Sequence, residues 1–144
     1  MSTQAMKNTT SAFLLFASLC SAAAHAEPKD YSCEVVKNTV EHSLDVTLDG
    51  DRLTEWTYAA ATPGGDNSTT CLVDSAHGKE TDSPSLQSYI TPAGEITVTK
   101  KGKSFVFDFS HLRITDVCGQ SSAMAKHITI TPGAKRCTNV ANAT

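Results

Sequence analysis

Along most of the chain apolar and polar residues alternate with a period of two, and turn-forming residues interrupt the alternation repeatedly. That period puts successive side chains on opposite faces of a strand. In "YSCEVV" it sets Tyr31, Cys33 and Val35 on one side. In "SLDVTLDGD", Leu44, Val46 and Leu48 alternate with polar residues and then meet Asp49-Gly50, a strong short-range hairpin signal. "RLTEWTYAAAT" is the expected return strand, with Trp56 and Tyr58 on one face. "TPGGDNST" predicts a loop and "TCLVD" a short strand. Ser75–Ser85 is polar, contains Gly78 and Pro84, shows no apolar period and is expected to be a surface loop.

"LQSYI" and "EITVTK" predict strands on either side of a "TPAG" turn. "KKGK" then turns into "SFVFDF", where Phe105, Phe107 and Phe109 form the clearest alternating face. "LRITDVC" extends that strand or starts another, and "HITIT" supplies the last strand before Pro132-Gly133. Residues 138–144, ending in "NVANAT", read as a loose tail. No segment of helical length shows a 3.6-residue period, although Asn38–Ser43 and Ser121–Lys126 each suffice for a turn or two. The pattern predicts an all-β domain, a small antiparallel barrel or sandwich of seven to nine short strands.

The start of the chain reads differently. Residues 1–10 carry Lys7 and no acid, Ala12–Ala24 is small or apolar, and Ala24 and Ala26 have the spacing of a cleavage site. Residues 1–26 are therefore expected to be a secretory signal peptide, leaving 27–144 as one domain in the periplasm or outside the cell. Leu19 before Cys20 does not suit a lipid-attachment signal, and no later run is long enough to span a bilayer, so no stable membrane anchor is expected. The domain then holds four cysteines, Cys33, Cys71, Cys118 and Cys137, which in an oxidising compartment read as two disulfides. Local loop closure favours Cys33–Cys71 and Cys118–Cys137.

Charge divides unevenly. Glu27–Thr99 holds thirteen acids against four Lys and Arg, whereas Lys100–Thr144 holds seven bases against two acids. If the acids between Glu41 and Glu55 share a face, they would steer a basic protein partner, with Asp49, Asp51 and Glu55 as the candidate contacts. No basic stripe with interleaved aromatics occurs, so nucleic acid is not an expected partner.

The candidate chemistry is sparse. Cys118 lies beside Gly119, near His111, His127 and Asp116, and resembles a thiolate nucleophile with helpers. A free thiol there would leave an odd cysteine among the four, so a half-cystine is expected instead. Ser122 and Lys126 are one residue too far apart for Ser-x-x-Lys, and Gly-x-Ser-x-Gly does not occur. His42, His77, His111 and His127 lack metal-ligand spacing and read as surface or strand-end residues; Asp45, Asp49, Asp51 and Glu55 miss the register of a calcium loop. No metal or cofactor is expected, and no catalytic residue is assigned. Trp56, Tyr58, Phe105 and Phe107 fill the core or, in a carrier, line a ligand cavity.

"YSCEVV", "SLDVTL" and the strand bearing Trp56 and Tyr58 together resemble the start of the small exported inhibitors of c-type lysozyme. The shared features are the opening Tyr-x-Cys, a first hairpin with a Leu-x-Val-x-Leu strand and a late cysteine, over roughly the first third of the domain. The resemblance implies a compact antiparallel barrel and a non-enzymatic periplasmic protein that blocks a muramidase. That family's Ser-Gly-x-x-Tyr inhibitory loop is absent, "DSPSLQSY" lacking the glycine, so its inhibitory residues carry over to no position. The leading expectation is an inhibitor or immunity-type protein that occludes a cell-wall hydrolase or a secreted toxin. A small-ligand carrier and an envelope enzyme are the alternatives.

Overall fold

The structure is a computed structural model that describes residues 26–63, 69–83, 85–119 and 123–142. The proposed leader lies outside the described residues except for Ala26. The first four strands, β1 (Lys29–Lys37), β2 (Val40–Asp49), β3 (Arg52–Thr62) and β4 (Thr69–Asp74), form one antiparallel sheet in chain order. A 3-10 turn, Ser75–His77, leads into the second sheet. Its strands are β5 (Lys79–Ser83), β6 (Leu86–Thr91), β7 (Gly94–Lys101), β8 (Ser104–Leu112), β9 (Ala125–Ile130) and β10 (Thr138–Asn142), also in chain order. One helical turn, α1 (Ile114–Cys118), separates β8 from β9.

Local chemistry explains the turns. Asn38 and Thr39 both have positive φ and close β1–β2, the backbone hand that two-residue hairpins require. Gly50 does the same after Asp49, as its sequence signal predicts. At Gly94 the constraint is also one of space, because a Cβ there would collide with the carbonyl oxygen of His111 across the β7–β8 pair.

The inner faces of both sheets meet in a single core, so the all-β expectation resolves to a sandwich rather than a closed barrel. Trp56 of β3 packs edge-on against Tyr89 of β6 and Phe107 of β8, each with ring centroids 5.3 Å apart. Tyr58 lies 4.8 Å from Phe109. Such edge-to-face and tilted pairs add about 0.5–1.5 kcal/mol each beyond the area they bury.

Several details correct the sequence reading. There are ten strands among the described residues rather than seven to nine. Part of the expected loop Ser75–Ser85 is the polar edge strand β5, paired with β6 from Lys79↔Ile90 to Ser83↔Leu86. The expected loose tail contains β10, held to β9 with Val140 buried. Asn38–Ser43 is a hairpin turn running into β2, and Ala125 and Lys126 begin β9. "ITDVC" is helical although Ile, Thr and Val favour strands. The strand path stops there because the Arg113 N–H bonds Ala93 O at 2.8 Å and its guanidinium bonds Pro92 O at 2.7 Å.

The disulfides are Cys33–Cys137 and Cys71–Cys118, overturning the local pairing. The reason is the arrangement of sheet edges. Glu34 of β1 takes a backbone bond from Cys137 N–H and gives one to Lys135 O, which stitches the outer edge of the first sheet to the segment before β10. That brings the Cα atoms of Cys33 and Cys137 within 5.0 Å across 104 residues of chain. Cys71 of β4 bonds Cys118 of α1, and α1 packs along β4. By chain entropy, closing loops of 104 and 47 residues contributes about 4.7 and about 4 kcal/mol.

Candidate functional site

The acidic half of the sequence reaches into β7 of the second sheet, but most of its acids lie in β1–β4, which do not interleave with β5–β10. On the outer face of the first sheet the register aligns Asp30, Thr47 and Glu55 in one row, and Ser32, Asp45, Thr57 and Asp74 in the next. Glu34, Ser43, Ala59 and Leu72 follow, then Val36, Glu41, Ala61 and Thr70. Rows lie about 7 Å apart along a strand. Six carboxylates thus share one face, and no two are direct cross-strand neighbours, so repulsion is spread while the field adds up. No Lys or Arg of β1–β4 stands in these rows; Arg136, bridged to Glu34, adds one cation at the β1 edge. Lys29 and Lys37 sit at the ends of β1, and Arg52 at the β2–β3 hairpin.

The other side chains on this face are short. A trough of about 420 Å³ crosses it, lined by Asp30, Ser32, Asp45, Thr47, Glu55 and Thr57. Thr47 donates its hydroxyl to Asp30 Oδ1 at 2.7 Å, which fixes one wall. At the margins Leu72 and Val36 are exposed apolar residues.

The three acids singled out from sequence part company here. Glu55 belongs to the acidic face, and Asp49 is exposed at the end of β2. Asp51 turns away at the hairpin tip, pairing with Lys100 of the second sheet at 3.3 Å. Asp30, Glu34, Glu41, Asp45 and Asp74 complete the face, and Asp30 and Glu34 precede the stretch the sequence reading emphasised. Period-two counting through "KDYSCEVV" already put them opposite Cys33, but only sheet order brings them beside Asp45 and Glu55.

The aromatic set divides too. Trp56, Tyr58 and Phe107 are buried in the core, Trp56 against Phe107 and Tyr58 against Phe109. Phe105, also buried, lines a separate cleft of about 400 Å³ at the open end of the sandwich. Cys118 is disulfide-bonded, and Asp116 pairs with Arg113 at 2.6 Å rather than orienting a histidine.

The histidines diverge from their surface assignment in one case. His42 is fully buried on β2, where its Nδ1 lies 2.8 Å from the Tyr58 hydroxyl, and that hydroxyl accepts the N–H of Ala125 at 2.8 Å. Burial, with the charge of Lys37, lowers the His42 pKa; burial also pushes Tyr58 up to about 12 against the pull of the Ala125 N–H. On the outer face of the second sheet His127 lies 3.4 Å from Asp108. Burial by itself would raise the Asp108 carboxyl, but Ser110's hydroxyl and N–H, then His127 and His111, outweigh it and leave it below its ordinary value. No group of three His, Cys, Asp or Glu among the described residues is placed to hold a metal ion.

No family model matches the chain, and no curated protein or solved structure matches it. Function is therefore argued from these surfaces alone. The disulfides are consistent with an oxidising, exported location, and no helix among the described residues is long and apolar enough to cross a membrane.

Proposed function

We propose that this chain is an exported, non-enzymatic binding protein whose first sheet docks through its outer face onto a basic protein and occludes it. The partner class we favour is a cell-wall hydrolase of the lysozyme kind or a secreted toxin. One observation carries the reading: the strands β1–β4 place six carboxylates and no Lys or Arg of their own on one face, with Arg136 beside Glu34 at the β1 edge. A surface that serves only solubility mixes both signs. A face on which one sign so outweighs the other speeds encounter with a partner of opposite charge and disfavours like-charged ones. The Tyr31-x-Cys33 opening and the Leu44-x-Val46-x-Leu48 strand, similar to those of c-type lysozyme inhibitors, point to the same partner class.

The test is capture and inhibition by the mature protein of lysozymes of several classes and of basic envelope proteins, followed by binding kinetics. The triple variant Asp30→Asn, Asp45→Asn, Glu55→Gln should lower the association rate at least about tenfold at low salt, with less effect on dissociation. The same variant should lose most of the salt dependence. Absence of any captured basic protein, or association indifferent to the three substitutions, would overturn the proposal.

A further inference from the structure

The cleft that Phe105 lines breaks the pattern of the core. Along β6 and β7 the inward positions are Gln87 and Tyr89, then Ile96, Val98 and Lys100. Two polar residues thus occupy core-facing register positions at the same end of the second sheet, and both line one cleft. Local rules of patterning tend to fail where a protein has a site.

The floor is apolar, made by Leu53, Val98 and Phe105, each at most 3 % exposed. Gln87 is 7 % exposed, and its amide nitrogen is committed to Leu53 O at 3.0 Å and Glu80 Oε1 at 2.8 Å. These two bonds fix the amide and leave Oε1 as its uncommitted acceptor among the described residues. The rim alternates in sign. Lys100 meets Asp51 at 3.3 Å with its ammonium 6.0 Å from the Phe105 ring centre, and Arg52 meets Glu80 at 3.8 Å. Each pair has one well-exposed partner, and surface pairs are worth only about 0–1 kcal/mol.

We infer that this cleft binds a small zwitterion with an apolar side chain, a free amino acid or dipeptide. A purely anionic ligand would meet Asp51, and a purely cationic one Lys100 and Arg52. A zwitterion satisfies both: its carboxylate replaces Asp51 at Lys100, and its ammonium takes Asp51 and Gln87 Oε1. Its side chain covers the apolar floor, and about 400 Å³ suits a ligand of that size. The site is separate from the acidic face, so either can fail without the other.

The experiment is an NMR titration of the labelled mature protein with the dipeptide Leu-Phe, and in parallel with its N-acetylated amide. The expected result is saturable shifts at the Gln87 side-chain amide and the Lys100 backbone N–H for the free dipeptide only. Gln87→Leu, which puts an apolar side chain of similar size at an inward position and should fold, is expected to weaken binding at least about tenfold, as is Lys100→Met. Non-saturating shifts, equal binding of the capped peptide, or affinity unchanged in both variants would each overturn the inference.

Discussion

At His42 the alternation of β2 delivers an imidazole to the core, and Tyr58 is the residue that makes this tolerable. The Tyr58 hydroxyl serves two groups at once, His42 Nδ1 and the Ala125 N–H, and so ties the first sheet to β9 of the second. Tyr58→Phe leaves both without their partner and should cost about 1–3 kcal/mol, measured by urea unfolding. Because the His42 pKa is lowered in the fold, the unfolded chain takes up a proton near 6.5 while the folded chain resists it. Stability from neutral His42 is complete above about pH 6.5 and declines as pH falls below it. The Asp108 carboxyl, also lowered, adds its own loss only at more acid pH, as pH falls through the range below 3.8. His42→Gln should flatten the urea midpoint between about pH 7.5 and 5, whereas an unchanged slope would place the pH sensitivity elsewhere. The sequence reading set His42 on the surface because it began the inward period at Leu44; carried two residues back, the same period includes His42, whereas its hydroxyl partner has no local signal.

Among the elements, the hairpins were readable because their signals are local: Asp49-Gly50 closes β2–β3, and the run Phe105, Phe107, Phe109 faces the core. The edges were not. β5 and β10 bury almost nothing of their own and have no apolar period, so their strand character comes from the neighbours they pair with. The cysteine pairing was hidden for a related reason, since it depends on which edges meet. The two bridges differ in exposure: Cys33 and Cys137 are sealed in the core, whereas Cys118 is half-buried on a one-turn helix that buries no residue fully. Exchange requires a thiolate to reach a sulfur. Stepwise reduction with differential alkylation should therefore label Cys71 and Cys118 at reductant concentrations that leave Cys33 and Cys137 protected. Simultaneous labelling of all four would show that α1 does not open separately.

For the whole molecule, the division of charge by sheet has an effect even without a partner. Carboxylates about 7 Å apart on one face repel, each close pair by a few tenths of a kcal/mol. Salt should raise the melting temperature of the protein by screening them, and Asp45→Asn with Glu55→Gln should blunt that rise. A salt response identical in the double variant would mean that these charges do not feel one another. The join between the first strand and the last segment bears on how the molecule comes into being. A chain emerging N-terminus first offers Cys33 the sulfur of Cys71 long before that of Cys137, which lies 104 residues away. In an oxidising space the nearer partner is the wrong one. Correct maturation then requires either that Cys33 be kept waiting or that an early mispaired bond be reshuffled by an isomerase, and a molecule interrupted before Cys137 has no lock for its first strand.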